Sequence, residues 1–260
     1  MTKKFSIISR GDNVSEELAS YIKNRLTVAG WINSISPEIV LSIGGDGTML
    51  EAFHMFNDAI ENTSFIGLRT GHLGFYTDWE QSELEELLNL LINDKPNIVE
   101  YPLVEMTIDD DTEIKHLALN EIYLKSPEKS LICNVYIDGE HFENFRGDGL
   151  CISTPSGSTA YNKALNGAII HPTLETIQLS EMASVNNNVY RTIGSSMILP
   201  KHHTLEIRVD EYSESLVLGA DHTIIVDEFS KLKLKVSDKK IRFARYRKNT
   251  FWNRVKESFI

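Results

Sequence analysis

The chain predicts an α/β N-terminal domain followed by a β-rich C-terminal domain. Up to about residue 100, short apolar runs alternate with stretches of helical period, the pattern of strands joined by crossover helices. After Pro102 nearly every apolar run has strand character. The 260 residues, 42% hydrophobic and 24% charged, suffice to bury a substantial core in one large domain or two moderate ones.

In order, "FSIIS" (5–9) predicts a strand. "SEELASYIKNRLTVAG" predicts a helix with Leu18, Tyr21, Ile22 and Leu26 on one face and Gly30 as its stop. "EIVLSI" and "SFIGL" (64–68) predict buried strands flanking a helix over "TMLEAFHMFNDAI". In "SELEELLNLLIND", Leu84, Leu87, Leu88 and Leu91 form the apolar stripe, with Ser82 and Glu85 spaced as a capping box. Beyond the boundary, strands are predicted over "LVEMTID", "HLALNEIYLK", "LICNVYID", "EHFENFR", "TLEIRVD", "SLVLGAD", "TIIVDE", "KLKLKVS" and "IRFARY". Asp138-Gly139 is a hairpin turn between two of them. One helix is expected in "STAYNKALNGAII", after the Pro155-Ser156-Gly157 turn. The domains are therefore 1–100 and 101–245. Residues 246–260 form a closing segment available to pack back on the first; its Phe251, Trp252 and Val255 suit either domain.

Composition narrows the partners. The N-terminal apolar stretch is too short for a signal peptide, and no later stretch approaches a membrane span. Cys133 and Cys151 form no CxxC and suggest no disulfide framework, so the expected compartment is the reducing cytoplasm, with no membrane partner. The net charge is -11, unevenly spread: residues 231–260 carry 11 Lys/Arg against Asp238 and Glu257. In "KLKLKV" the charges alternate with period two, so Lys231, Lys233 and Lys235 belong to the wet face of a strand. No nucleic-acid motif accompanies them, and no nucleic-acid partner is expected.

"EIVLSIGGDGTML" is the first stretch that carries chemistry. A buried strand entering a glycine turn and then a helix is a geometry for holding phosphates, because bare backbone N–H groups face the ligand at a helix N-terminus. Neither the P-loop GxxxxGK[ST] nor a full GxGxxG is present. Asp46 stands among Gly44, Gly45 and Gly47, where a carboxylate would repel phosphate. Two roles remove the conflict: it acts through Mg²⁺, or it accepts a proton from an attacking hydroxyl. Both point to phosphoryl transfer to an alcohol; the alternative is an ordinary Asp-Gly turn.

Three further stretches are unusually polar. Asn120-Glu121 interrupts an apolar run, and together they offer the donors and acceptors that a sugar diol requires. "NFRGDGLCISTPSGSTAYNKALNGAI" repeats the carboxylate between glycines at Asp148. It crowds Thr154, Ser156, Ser158 and Thr159 around a turn, with Tyr161 placed to stack on a base. "LRTGHLGFYTDW" sets Phe75 in a glycine-flanked segment at a strand end. Asp221-His222 sits at another strand end, where a hairpin histidine is the default reading. The eight histidines show no zinc-like spacing, and Ser156 lies outside any GxSxG.

With these residues in view, "GGDGT" resembles the superfamily of NAD kinases, lipid kinases and 6-phosphofructokinases. "LNE" (119–121), "GDG" (147–149) and "TPSGSTAYN" (154–162) narrow the resemblance to the bacterial-type ATP-dependent NAD kinases, in an order covering nearly the whole chain. The resemblance implies a site in the cleft between two domains and transfer of the ATP γ-phosphoryl group to the 2′-hydroxyl of NAD's adenosine ribose, giving NADP. Asp46 matches the essential acidic residue, and Gly44, Gly45 and Gly47 the cradle of ATP phosphates. Asn120 and Glu121 match the NAD-binding pair, and Arg146 and Asp148 the GDG region that contacts the dinucleotide. Thr159, Ala160 and Tyr161, with Ser156 and Asn162 beside them and Phe75 opposite, match the adenine pocket. Ala183 matches a residue approaching from a neighbouring subunit, implying a homo-oligomer, dimer or tetramer. No protein metal ligand is expected; a divalent ion, Mg²⁺, comes with the ATP phosphates.

The chain departs from the family pattern in four places. Ser156 stands where Thr is frequent, Ala164 where Ser is, and Asn166 with Ala168 in a Gly-Gly-Pro segment. Asp221-His222 replaces Asp-Gly, leaving the imidazole's role open. The competing readings are another kinase with the same turn, acting on a lipid or sugar, and a module that senses NAD(P) without turnover.

Overall fold

In the computed structural model the described residues are 3–188, 190–209, 216–225, 229–248 and 251–260. They cluster into two units, residues 1–100 with 240–260, and residues 101–239. The expected strand positions at Asp210, Ser215 and residues 226–228 lie outside the described residues.

The N-terminal unit contains β1 (Lys4–Ser9), α1 (Asn13–Val28), β2 (Ile32–Asn33), β3 (Ile39–Gly44), α2 (Asp46–Phe56), β4 (Ser64–Arg69), β5 (Trp79–Glu80) and α3 (Leu84–Asn93). Its strands run parallel in the order β2-β1-β3-β4, with β5 beside β4. Every residue of β3 is buried, which is why its sequence up to Gly44 is apolar apart from the small Ser42. Asp12 caps α1, accepting the Ser15 N–H at 3.0 Å, and Leu18, Ile22 and Leu26 face the core. Tyr21 departs from the expected apolar face. It stays 43% exposed because its hydroxyl reaches the Glu85 carboxylate at 2.7 Å. Glu85 also binds Arg25 and is therefore no capping residue. The capping box is instead Glu80 with Glu83, around a 3₁₀ turn at Gln81–Glu83 that shifts the start of α3.

The C-terminal unit contains most of β6 (Asn97–Ile108), then β7 (His116–Ala118), β8 (Glu121–Lys125), β9 (Leu131–Ile137), β10 (Glu140–Gly147), β11 (Gly149–Ser153), α4 (Tyr161–Ala164), β12 (Thr176–Met182), β13 (Met197–Pro200), β14 (Leu205–Arg208), β15 (Val217–Ala220), β16 (Thr223–Ile225) and the first part of β17 (Lys231–Arg245). An antiparallel sheet of six strands has the order β13-β12-β11-β8-β15-β16. Strands β10, β9, β14 and the start of β17 pair in a second antiparallel run. Asp138 and Gly139, at φ 52° and 82°, make the hairpin turn between β9 and β10. Leu232, Leu234 and Val236 are buried, while Lys233 is exposed and Lys231 and Lys235 are half-buried, as period two requires. The end of β17 joins the N-terminal unit's sheet, with Arg242 and Phe243 parallel to β4, and α5 (Phe251–Phe259) follows.

Two further expectations are corrected, and one pair of strands was not expected. "HLALNEIYLK" is two strands, because Leu119 and Asn120 leave the ladder to meet Asp221. The expected helix over 158–170 shrinks to a 3₁₀ turn at Ser156–Thr159 and the one-turn α4. Asn166 takes φ 59° there, and the buried Asn162 amide bonds the carbonyls of Ser158 and Ala168. Strands β12 and β13 went unread. Gln178 and Ser180 of β12 face inward to hold Ala168 and Asn162, which masks its alternation, and β13 ends in Pro200 at the sheet edge.

Candidate functional site

Strands β3 and β4 are parallel neighbours, with Gly44 opposite Arg69. Their C-terminal ends therefore release two segments side by side, the Gly44–Thr48 turn and the Gly71–Tyr76 segment. This is where α/β sheets present ligand sites. Asp46 is the first residue of α2, and its half-buried carboxylate bridges to the second segment. Its Oδ2 accepts the Phe75 N–H at 2.8 Å and its Oδ1 the Tyr76 N–H at 2.9 Å. Each oxygen retains a lone pair beyond those bonds. Gly74, which the motif reading passed over, makes the approach possible: a Cβ there would overlap Asp46 Oδ1.

The turn's glycines divide into two kinds. A Cβ on Gly44 would overlap the Thr48 hydroxyl, a packing reason for glycine. A Cβ on Gly45 or Gly47 would enter open space, so nothing in the protein demands glycine there. Bare backbone beside open space suits the close approach of a phosphate. Gly44→Ala is therefore expected to destabilise the fold by about 1–3 kcal/mol in urea unfolding. Gly45→Ala and Gly47→Ala should unfold like the parent yet weaken binding of inorganic triphosphate by ~10-fold, the equivalent of one lost hydrogen bond. Parental affinity in both variants would contradict the phosphate role.

In the C-terminal unit, Asp221 grips the broken strand. Its Oδ2 accepts the Leu119 N–H at 2.9 Å, and its Oδ1 accepts those of Asn120 at 2.7 Å and Glu121 at 3.2 Å. The opposite side of the segment is held by Thr154. Its N–H donates to Asn120 O at 2.8 Å and its hydroxyl to Leu119 O at 2.6 Å, and Ser156 Oγ adds a bond to Leu119 O at 3.1 Å. Gly157 lies flat on Asn120, where any Cβ would overlap its backbone. Asp221, Ser156 and the fully buried Asn162 thus shape the site from behind. Asn120 and Glu121 are 8% and 7% exposed.

Glu121 is not in the usual surroundings of a carboxylate. Burial, and then the negative charge of Asp221, push its pKa up to about 8, opposed by the Tyr161 N–H and Lys125. Its Oε2 is buried with no hydrogen-bond partner among the described residues. The neutral acid can both donate and accept, which still fits a diol. Glu143 behaves similarly: burial and the neighbouring Glu181 raise it to about 7, against the Ile193 N–H. An acid whose folded pKa is raised stabilises the fold fully only below its unfolded pKa. Stability is lost as pH rises toward the folded value. Urea unfolding should therefore show stability falling between about pH 4.5 and pH 8, with the fall reduced in Glu121→Gln. A flat profile across that window would contradict it.

A cavity of about 740 Å³ in this unit is lined by Tyr123, Lys125, Asp148, Tyr161, Met182 and Ala183, among others. Lys125 Nζ lies 4.1 Å from the Tyr161 ring centroid and 4.7 Å from that of Tyr123. Three of the sequence-derived candidates, Asp148, Tyr161 and Ala183, thus meet around one space. Lys125 was missed because it closes an ordinary strand. Asp148 and Ala183 are exposed, and Thr159 and Ala160 are half-buried. Arg146 stacks on the Tyr190 ring at 5.0 Å. His222 is exposed at the β15–β16 turn. Phe75 packs in the N-terminal unit, against Phe251 and Phe259 of α5 at 6.2 and 5.7 Å between ring centroids.

A glycine turn at a parallel sheet's switch, a carboxylate fixed across it and a polar strand-end pocket define the chain by class as an α/β nucleotide-handling protein. The family model for the ATP-NAD kinase N-terminal domain matches residues 15–96, and that for the ATP-NAD kinase C-terminal domain matches residues 119–246. The chain belongs to the ATP-NAD kinase family. It is 51% identical over 265 residues to an NAD kinase of Shouchella clausii (99% of each chain covered) and 52% identical over 261 residues to NAD kinase 1 of Halalkalibacterium halodurans (99% and 98%). Among solved structures it resembles yeast NADH kinase complexed with NADH (TM-score 0.83, 18% identity, 98% and 87% covered). It also resembles an Archaeoglobus fulgidus NAD kinase in complex with ATP (TM-score 0.75, 20% identity, 98% and 97% covered). At those identities the structures establish the fold: an α/β N-terminal domain and a β-rich C-terminal domain.

Proposed function

We infer that the chain is an NAD kinase that transfers the ATP γ-phosphoryl group to the 2′-hydroxyl of NAD's adenosine ribose, with Asp46 as proton acceptor. Family membership carries the activity. The observation that carries it is the Asp46 carboxylate, fixed by two backbone N–H groups beside the open faces of Gly45 and Gly47. A base held in one orientation is ready to take a proton as the hydroxyl attacks.

In this reading residues 1–100 hold the ATP phosphates and residues 101–245 hold NAD. Asn120 and Glu121 bind the ribose, and Thr159, Ala160 and Tyr161 the base. Lys125, Arg146 and Asp148 flank the remainder of the dinucleotide. Asp221, Ser156 and Asn162 support these groups, and the exposed Ala183 at the cavity is assigned to approach the site of a second subunit in a dimer or tetramer. His222 is assigned to the rim of the same site.

Mg²⁺ carried on the ATP phosphates fits the turn, because the bare faces of Gly45 and Gly47 leave room for phosphate oxygens and their ion. Bound there, the ion would offset phosphate charge in a protein of net charge -11. Cys133 and Cys151 are both buried as thiols outside any disulfide, which favours a cytoplasmic setting. Incubation with NAD, ATP and Mg²⁺, followed by detection of NADP, tests the reading; absence of NADP overturns it.

A further inference from the structure

Arg254 lies on α5 with its side chain only 4% exposed. Its Nη1 donates to the carbonyls of Gly74 at 2.9 Å and Phe75 at 2.6 Å, and its Nη2 to the Asp78 carboxylate. Asp78 is held in turn by Arg245 at 3.0 Å. The two carbonyls belong to the same peptide units whose N–H groups, those of Phe75 and Tyr76, hold Asp46. A trans peptide points its C=O and N–H in opposite directions. Arg254 and Asp46 therefore grip opposite ends of two consecutive peptide planes, with a cation at the oxygen ends and an anion at the hydrogen ends. Each plane is polarised by the guanidinium in the sense that strengthens its N–H as a donor.

We propose that Arg254 is a positioning residue for phosphoryl transfer, fixing the Asp46 carboxylate through the Gly74–Phe75 and Phe75–Tyr76 peptides. This rests on the reading of Asp46 as the proton acceptor. The geometry needs a planar fork that reaches two carbonyls and a carboxylate at once, which lysine cannot supply. It also needs Gly74, whose missing Cβ admits Asp46. Phe75, stacked on Phe259 and tilted against Phe251, holds α5 against the same segment. The last helix thus reaches the chemistry through the backbone alone.

The test is a double-mutant cycle in kcat over Asp46→Asn and Arg254→Met, with KM for ATP and NAD recorded. Arg254→Met is expected to lower kcat by ~10- to 10²-fold, the scale of a misplaced catalytic group, with both KM values within about threefold. In the Asp46→Asn background the same substitution should change kcat by less than about twofold, because the group it positions is already gone. An equal loss in both backgrounds overturns the proposal and leaves the role of Asp46 standing. Parental kcat in Asp46→Asn alone overturns the role of Asp46 itself. Arg254→Lys keeps the charge and stem and reads the same coupling where the Met variant does not accumulate. Full activity in the Lys variant counts against the fork.

Discussion

Asp46→Asn is expected to lower kcat by ~10²-fold or more, the typical contribution of a positioned base. The substitution keeps the shape of the side chain and removes its charge. One of the Phe75 and Tyr76 N–H groups then faces an amide NH₂ in place of an oxygen, a local cost of about 1–3 kcal/mol. That is small against a native fold of this size, so the variant should remain folded. ATP and NAD should bind with KM values near the parent's, because Asp46 makes the proton transfer and not the main binding contacts. Steady-state kinetics with NADP detection, set beside urea unfolding, separate the two effects. A large KM increase with kcat intact would assign Asp46 to binding.

Asp221→Ala is expected to give the largest loss of stability. It strips three consecutive buried N–H groups, those of Leu119, Asn120 and Glu121, of their acceptor. Each unsatisfied group costs about 1–3 kcal/mol, so the sum approaches the whole stability of a typical domain. Part of the loss is offset. Asp221 raises the Glu121 pKa, and its removal eases ionisation of the buried acid. Asp221→Asn, which can satisfy part of the cluster, should fall between parent and Ala. Its KM for NAD should rise with kcat less affected, since the Asn120–Glu121 segment loosens while Asp46 does not. Unfolding of the Ala variant at the parent's urea midpoint would contradict the clamp.

The parts of the fold that were legible had their periods uninterrupted. In β3 every residue is buried, and the run from Ile39 to Gly44 says so directly. In α3 the leucines repeat at helical spacing, and Leu84, Leu87, Leu88 and Leu91 are the buried ones. β12 was illegible because its inward polar residues serve the Asn162 and Ala168 loop, so a strand face resembled a loop. The break at Leu119–Asn120 was legible only as an oddity. Its cause, Asp221, lies about a hundred residues away in the chain.

The candidate site divides in the same manner. Asp46 and its glycines stood out because a carboxylate in a phosphate turn conflicts with simple electrostatics. Gly74 carried a weaker signal, a second glycine after His72, whose reason appears only when Asp46 Oδ1 is placed beside it. Arg254 carried none. It sat in a basic tail 180 residues from Gly74, and its partners are backbone carbonyls that no pattern of side chains can reveal. The raised pKa of Glu121 likewise depends on burial and on the Asp221 charge, neither of which spacing expresses.

In a crystal structure of the protein with NAD and a non-hydrolysable ATP analogue, the Asp46 carboxylate should face the hydroxyl that receives the phosphoryl group. A 2′-hydroxyl oxygen is expected within about 3.2 Å of one Asp46 oxygen, while Phe75 and Tyr76 N–H still hold the carboxylate. A 2′-hydroxyl bonded instead to another residue, with Asp46 beyond the reach of even one bridging water, would contradict it.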